Sequence, residues 1–136
     1  MRGRSLVAGQ GEGPLLRVTR PLSLWGGVDP VRGTIVDPRH PQVGASIAGT
    51  VLLIPEPIGS SSSSAIMLEL IREGTAPAAV VLGRRDAILA LGAVVALELG
   101  YAAVPVVEVV SAELGAVPDG TRLRVVDGDI ERVGER

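Results

Sequence analysis

The sequence predicts an α/β fold built on a parallel sheet, and three observations carry that expectation. Unbroken apolar runs recur at Val51-Leu52-Leu53-Ile54, Ala78-Ala79-Val80-Val81-Leu82 and Val104-Pro105-Val106-Val107-Glu108-Val109-Val110, as in strands buried on both faces. Between them lie two helical patterns, Ser62 to Glu73 and Ala87 to Leu99. Glycines close both patterns, at Gly74 and Gly100, and Asp86 opens the second as an N-cap. Residues 50–110 therefore read β-α-β-α-β, the order that builds parallel strands through right-handed crossovers.

Ahead of this half, Ser5-Leu6-Val7-Ala8 and Leu15-Leu16-Arg17-Val18-Thr19 read as a strand pair. The stretch Gly9-Gln10-Gly11-Glu12-Gly13 reads as their Gly-rich connection. Its spaced glycines are not followed by a helical pattern, so a dinucleotide loop is a weak reading. Residues 20–47 have little regular pattern beyond a short strand, Thr34-Ile35-Val36, and loops of that length are usually functional. This loop holds the only Trp (Trp25), the only His (His40), Asp29, Asp37 and the pair Gly26-Gly27, where backbone could come close to a ligand. Asp29 before Pro30 is equally a common turn former, and His40 between Arg39 and Pro41 reads equally as a surface loop residue.

The first strand of the half ends at Ile54-Pro55-Glu56-Pro57-Ile58-Gly59, and five serines, Ser60 to Ser64, lead into the first helix. A helix start carries about half a positive charge and free N–H groups, and so seats anions. One or two of the serines suffice for capping, and a flexible serine linker is the other reading. In the first helix Ile66, Met67, Leu70 and Ile71 fall on one side. The second helix is apolar nearly all round, which predicts that it is well covered. The turn Gly83-Arg84-Arg85-Asp86 also follows a strand's carboxyl end, where ligands gather in such sheets. Pro105 belongs at a strand start or an edge. Finally, Thr121 to Val126 and Ile130 to Val133 form a hairpin through Asp127-Gly128.

Composition limits the chemistry. All thirteen cationic residues are Arg, which excludes a Walker or Schiff-base lysine. The absence of Cys excludes disulfides, thiolate nucleophiles and thiolate-bound metal or iron–sulfur sites on this chain, and one His cannot build a His-rich metal site. A net charge of −2 with two aromatic residues argues against nucleic-acid binding. Apolar runs stop short of a membrane span, and Met1-Arg2-Gly3-Arg4 has no apolar stretch behind it to make a signal peptide. One domain, residues 1–136, in the cytoplasm is the expectation.

Taken together, Leu24-Trp25-Gly26-Gly27-Val28-Asp29-Pro30, Asp37, His40-Pro41-Gln42, Gly49, Gly59-Ser60 through Ser64 and Gly74-Thr75-Ala76-Pro77-Ala78 resemble the small subunit of the aconitase X family. The resemblance runs from about residue 5 to 127. It implies a swivelling β/β/α domain like the mobile domain of aconitases, with additional N- and C-terminal strands around the β-α-β-α-β half. It also implies a partner: a large catalytic subunit that carries the iron–sulfur centre, with no cofactor or metal bound by this chain. The family's reactions are dehydrations of small carboxylate or phosphate substrates, cis-3-hydroxy-L-proline in bacterial members and 5-phosphomevalonate in archaeal ones. The unbroken serine run and Trp25 tilt this chain toward hydroxyproline. The family's proposed proton acceptor falls on Ser60. The expected substrate-binding set is Ser61, Ser62, Ser64, Trp25, Gly26, Gly27, Asp29, His40 and Arg84. Relatives in this family usually have Gly and a basic residue before the Gly-Ser pair, where this chain has Glu56-Pro57-Ile58. The competing readings are a phosphomevalonate dehydratase small subunit and a non-catalytic anion-binding or interaction module.

Overall fold

A computed structural model describes residues 1–58, 61–109 and 112–134. Its main sheet has seven strands: β1 (Arg4–Val7), β2 (Gln10–Arg17), β5 (Val51–Ile54), β6 (Ala79–Leu82), β7 (Val106–Glu108), β8 (Arg122–Val126) and β9 (Asp129–Arg132). Their order is β1-β7-β6-β5-β2-β8-β9. β2, β5, β6 and β7 run parallel, while β1, β8 and β9 pair antiparallel. Helices α2 (Ser63–Glu73) and α3 (Ala87–Glu98) carry the crossovers from β5 to β6 to β7. The expected β-α-β-α-β half is present, and Pro105 stands just before β7, where its missing N–H breaks no ladder bond.

The sheet curls until its edges meet. Arg2 bridges Asp129, Gly3 N–H donates to Gly128 O at 2.7 Å and Ile130 N–H to Met1 O at 2.8 Å. Curling divides the apolar side chains between two cores. Val51, Leu53, Ala79, Val81, Val107 and Val125 face the inside of the curl. Their neighbours Leu52, Ile54, Val80, Leu82 and Val106 face the helices. Both faces of the central strands are buried, which is why these strands read as continuous apolar runs.

Three expectations need correction. The glycine-rich stretch is not a connection: Gln10 to Pro14 is the first half of β2 and pairs with β8, while β1 pairs with β7 instead of β2. The reason is close crossing of backbones, since a Cβ on Gly11 would lie 1.9 Å from Ala78 O and one on Gly13 2.0 Å from Gly49 O. The loop at 20–47 is also more ordered than its composition suggests. Val28–Asp29 (β3) pairs with Thr34–Ile35 (β4), and Leu22, Leu24, Val28, Ile35 and Ile47 lie in the helix-side core. Lastly, α3 is not well covered: Ile88, Leu91, Val94 and Leu97 are all exposed. Its inner residues Leu89, Ala90, Ala93 and Ala96 are buried, and among the described residues nothing overlies the outer row.

On the solvent side of β2, Glu12 accepts from Arg122 Nε at 2.6 Å and Arg124 Nε at 3.3 Å. The Arg122 hydrogen bond, joined by that from Arg124, holds the Glu12 carboxyl below its usual range. A carboxylate shifted this way stabilises the fold above its unfolded pKa, and the contribution is lost as pH falls through the lower folded value. The difference in melting temperature between the wild type and Glu12→Gln should therefore be small at neutral pH, as for exposed pairs. It should begin to fade as pH falls through the ordinary carboxylate range, about pH 4, and vanish below the lowered folded value; a difference that persists in strong acid would contradict the assignment.

Candidate functional site at the carboxyl-end rim

The site is assembled by two turns and one loop. β5 ends at Ile54, and the chain turns through Pro55-Glu56-Pro57-Ile58 toward the serines. Ile58 N–H donates to Leu22 O at 3.1 Å, and Leu22 bridges Pro57 in parallel. This lashes the start of the serine turn to the tryptophan loop. From the next turn, after β6, Arg84 Nη2 donates to Pro57 O at 2.8 Å and stands 3.8 Å from Glu56 Oε2. Strand ends distant in sequence thus meet at one rim, as the parallel topology demands.

A cavity of about 480 Å³ opens beside Ile58 and is lined by Ser23, Trp25, Gly26, Gly27, Asp37 and Arg39 among others. The short element α1 (Leu24–Gly27) shapes its wall. Trp25 (φ −70°, ψ 118°) and Gly26 (φ 76°, ψ −14°) have the dihedrals of a type II turn, whose third residue needs positive φ and hence Gly. The turn buries Leu24 and leaves Trp25 59% exposed on the cavity. A large indole exposed at a cavity mouth presents an apolar body and an N–H donor side by side, which suits a partly polar ligand.

Across the cavity, Asp37 Oδ1 accepts from Arg39 N–H at 3.0 Å and lies 3.5 Å from Arg39 Nε. The backbone N–H of Arg39, and then its guanidinium, hold the Asp37 carboxyl below the usual range, so it is ionised at neutral pH. A second concavity of about 320 Å³, by β8 and β9, is lined by Met1, Leu114, Val117, Leu123, Ile130, Glu131 and Arg132.

Of the residues singled out from sequence, Trp25, Gly26 and Gly27 line the cavity and Arg84 braces the turn beside it. Ser60 lies outside the described residues. Ser61 is exposed, and Ser62 stands at the N-cap of α2 with φ −89° and ψ −5°, close to helical values. Ser64 Oγ reaches Ser61 O at 3.4 Å, a long contact inside the serine segment. Asp29 and His40 are turned elsewhere. Asp29 Oδ1 accepts from Val31 N–H at 2.9 Å and closes the β3–β4 turn. His40 is 5% exposed, and its Nδ1 accepts from Gln42 N–H at 3.0 Å. Asp37, Arg39, Ser23 and Ile58 were not singled out as ligand contacts. Asp37 stood in the sequence only as one of the polar groups clustered in the 20–47 loop and among the motifs that carry the resemblance.

The chain has no Cys, and among the described residues no three His, Asp or Glu side chains stand together as a metal site. Among the described residues, too, no helix is long and apolar enough to cross a membrane.

The chain is similar to known proteins along nearly its whole length. The family model described as aconitase X swivel domain matches residues 1–133. A cis-3-hydroxy-L-proline dehydratase of Pseudomonas aeruginosa is 44% identical over 130 residues, which cover 94% of this chain and 22% of that protein. The phosphomevalonate dehydratase small subunit of Methanothermobacter thermautotrophicus is 39% identical over 123 residues, covering 90% of this chain and 89% of that one. The chain therefore spans only about a fifth of the length of the hydroxyproline dehydratases it matches. Among solved structures, the holo-form of Thermococcus kodakaraensis aconitase X superposes with a TM-score of 0.83 at 31% identity, covering 97% of this chain and 96% of that chain.

Proposed function

This chain belongs to the aconitase X swivel-domain family, and we propose that it is the small subunit of a two-chain dehydratase, active only when a large chain closes over its carboxyl-end rim. The observation that carries this reading is the pair of hydrogen bonds that fix Pro57-Ile58, the lead-in to the serine run, from Ile58 N–H to Leu22 O of the tryptophan loop and from Arg84 to Pro57 O. Because this chain offers no cluster ligands, an iron–sulfur centre belongs to the large chain in this account.

The reaction removes the proton beside a carboxylate and expels the hydroxyl from the neighbouring carbon, so that one water leaves and a double bond forms. Ser60 accepts that proton. A serine is a weak base at its free pKa, so it needs a setting that favours the alkoxide. In this account the positive groups that favour it are the N-terminal end of α2, which begins three residues after Ser60 in the chain, and the guanidinium of Arg84, bonded to Pro57 O three residues before it. Ser61, Ser62 and Ser64 supply hydrogen bonds to the substrate, and Asp37 and Arg39 complete the polar wall opposite the indole.

Between the two substrate classes, the rim's charge favours cis-3-hydroxy-L-proline. The two cations nearest the cavity each stand beside a carboxylate, Arg39 by Asp37 and Arg84 by Glu56, while Arg85 of the same turn lines a groove beside α3. Such a balanced rim suits a zwitterion whose ring ammonium can lie over Trp25, an attraction of about 0.5–2 kcal/mol. It suits a phosphate dianion poorly. With the large chain present, kcat/KM for cis-3-hydroxy-L-proline should exceed that for 5-phosphomevalonate by at least about 100-fold, equivalent to two well-made charged contacts. The reverse order would assign the chain to the phosphomevalonate enzymes. An assembled complex that releases water from neither would leave a binding module.

A further inference from the structure

Among the described residues, the outer face of α3 gathers exposed aliphatic side chains into one continuous surface. Ile88, Leu91, Val94 and Leu97 form one row, continued past the helix by Leu99 and Tyr101, all exposed. Over the length of α3 that face carries a single charged side chain, Glu98. A helix apolar all round is stable in water only when both sides are covered. Contiguous exposed patches larger than a few hundred Å² mark interaction sites.

We propose that the large chain of the dehydratase docks on this face, with an aliphatic ridge seated in the groove between β1 and α3. This inference rests on the two-chain reading above. The groove holds about 280 Å³ and is lined by Leu6, Ala87, Ala90, Leu91, Val94 and Arg85. Two observations choose the occupant. First, the groove ends at Arg85, next to Arg84, whose guanidinium is bonded to Pro57 O on the rim. A body that closes the rim therefore continues onto α3 without a gap. Second, in the Pseudomonas aeruginosa relative about four-fifths of the protein lies outside the part matched by this chain, so a body several times larger accompanies the domain. A lipid surface fits less well. Interfacial helices carry rows of Lys or Arg on their polar face, whereas the opposite side of α3 is packed in the core. The partner should carry a carboxylate near the Arg85 end of its ridge.

The test is binding between this chain and the large chain of its own organism that corresponds to the unmatched four-fifths, followed by calorimetry and by light scattering. Leu91→Glu and, separately, Leu97→Glu should each weaken the complex at least 100-fold while keeping the wild-type circular dichroism and melting curve. Val31→Glu is the control. Val31 is 63% exposed on the β3–β4 turn, which Thr75 Oγ1 ties by its bond to Pro30 O to the far end of α2. That variant should bind like the wild type. If the wild type binds and both α3 variants bind equally well, the docking inference is overturned and the two-chain reading survives. If the wild type does not bind, both fall. A dimer of this chain alone that Leu91→Glu dissolves would give the face to a second copy and overturn the inference.

Discussion

Replacing Ser60 by alanine in the assembled complex is expected to lower kcat by roughly 10²–10⁴-fold, the range a positioned base supplies. KM should change little, because the neighbouring serines and the indole wall still hold the substrate. Complex formation should be untouched, since the proposed docking row lies on α3. The expectation follows from position. The residues flanking the turn are fixed by Leu22 O on one side and by α2 on the other. Arg84 brings a cation to the carbonyl three residues before Ser60. A Ser60→Ala complex that turned over at near-normal rates would remove Ser60 from the chemistry, and Asp37, ionised across the cavity, would be the next base to examine.

The second large effect is on folding. Gly11→Ala should destabilise the chain by on the order of 3 kcal/mol, as for overpacked cores, and could prevent accumulation of folded protein. The added methyl would lie 1.9 Å from Ala78 O and 2.7 Å from its carbonyl carbon, both backbone atoms that cannot swing aside. Relief requires β2 to move off the segment leading into β6, which disturbs the pairing of β2 with β8 and the closure of the curl. The measurement is the midpoint of urea unfolding against wild type. Gly115→Ala serves as comparison, since nothing lies within 4 Å of a Cβ there. Equal midpoints for Gly11→Ala and wild type would mean that the crossing is looser than described.

Much of the fold was legible because its central half follows local rules. Asp86 did cap α3, its Oδ1 accepting from Ile88 and Leu89 N–H. Gly74 did close α2 in the left-handed conformation, with φ 76°. The Asp127-Gly128 hairpin also formed where it was read, with Asp127 at φ 52°. What local rules could not show was which strands meet. Gly11 and Gly13 read as a loop because their purpose, clearance for Ala78 O and Gly49 O, exists only after residues far apart in sequence are brought together. The same limit explains α3. Its composition says that all sides are apolar, but not whether this chain or another covers them.

The site divides in the same way. Trp25 with Gly26-Gly27 was visible as an unusual cluster in an otherwise irregular loop, and Arg84 as a basic turn after a strand. Asp37 and Arg39 were less visible, because only the folded loop turns them toward the cavity and His40 away from it. Glu56 stood out as a departure from the family's basic residue; the fold answers it with Arg84, which reaches the same turn from the next strand end.

That a second polypeptide completes this rim is most directly tested by titrating the large chain with this one and following the initial rate of water loss from cis-3-hydroxy-L-proline. The rate should start at background, rise in proportion to added chain and level off at equimolar ratio. A large chain that reaches its full rate without any of this chain would contradict the account.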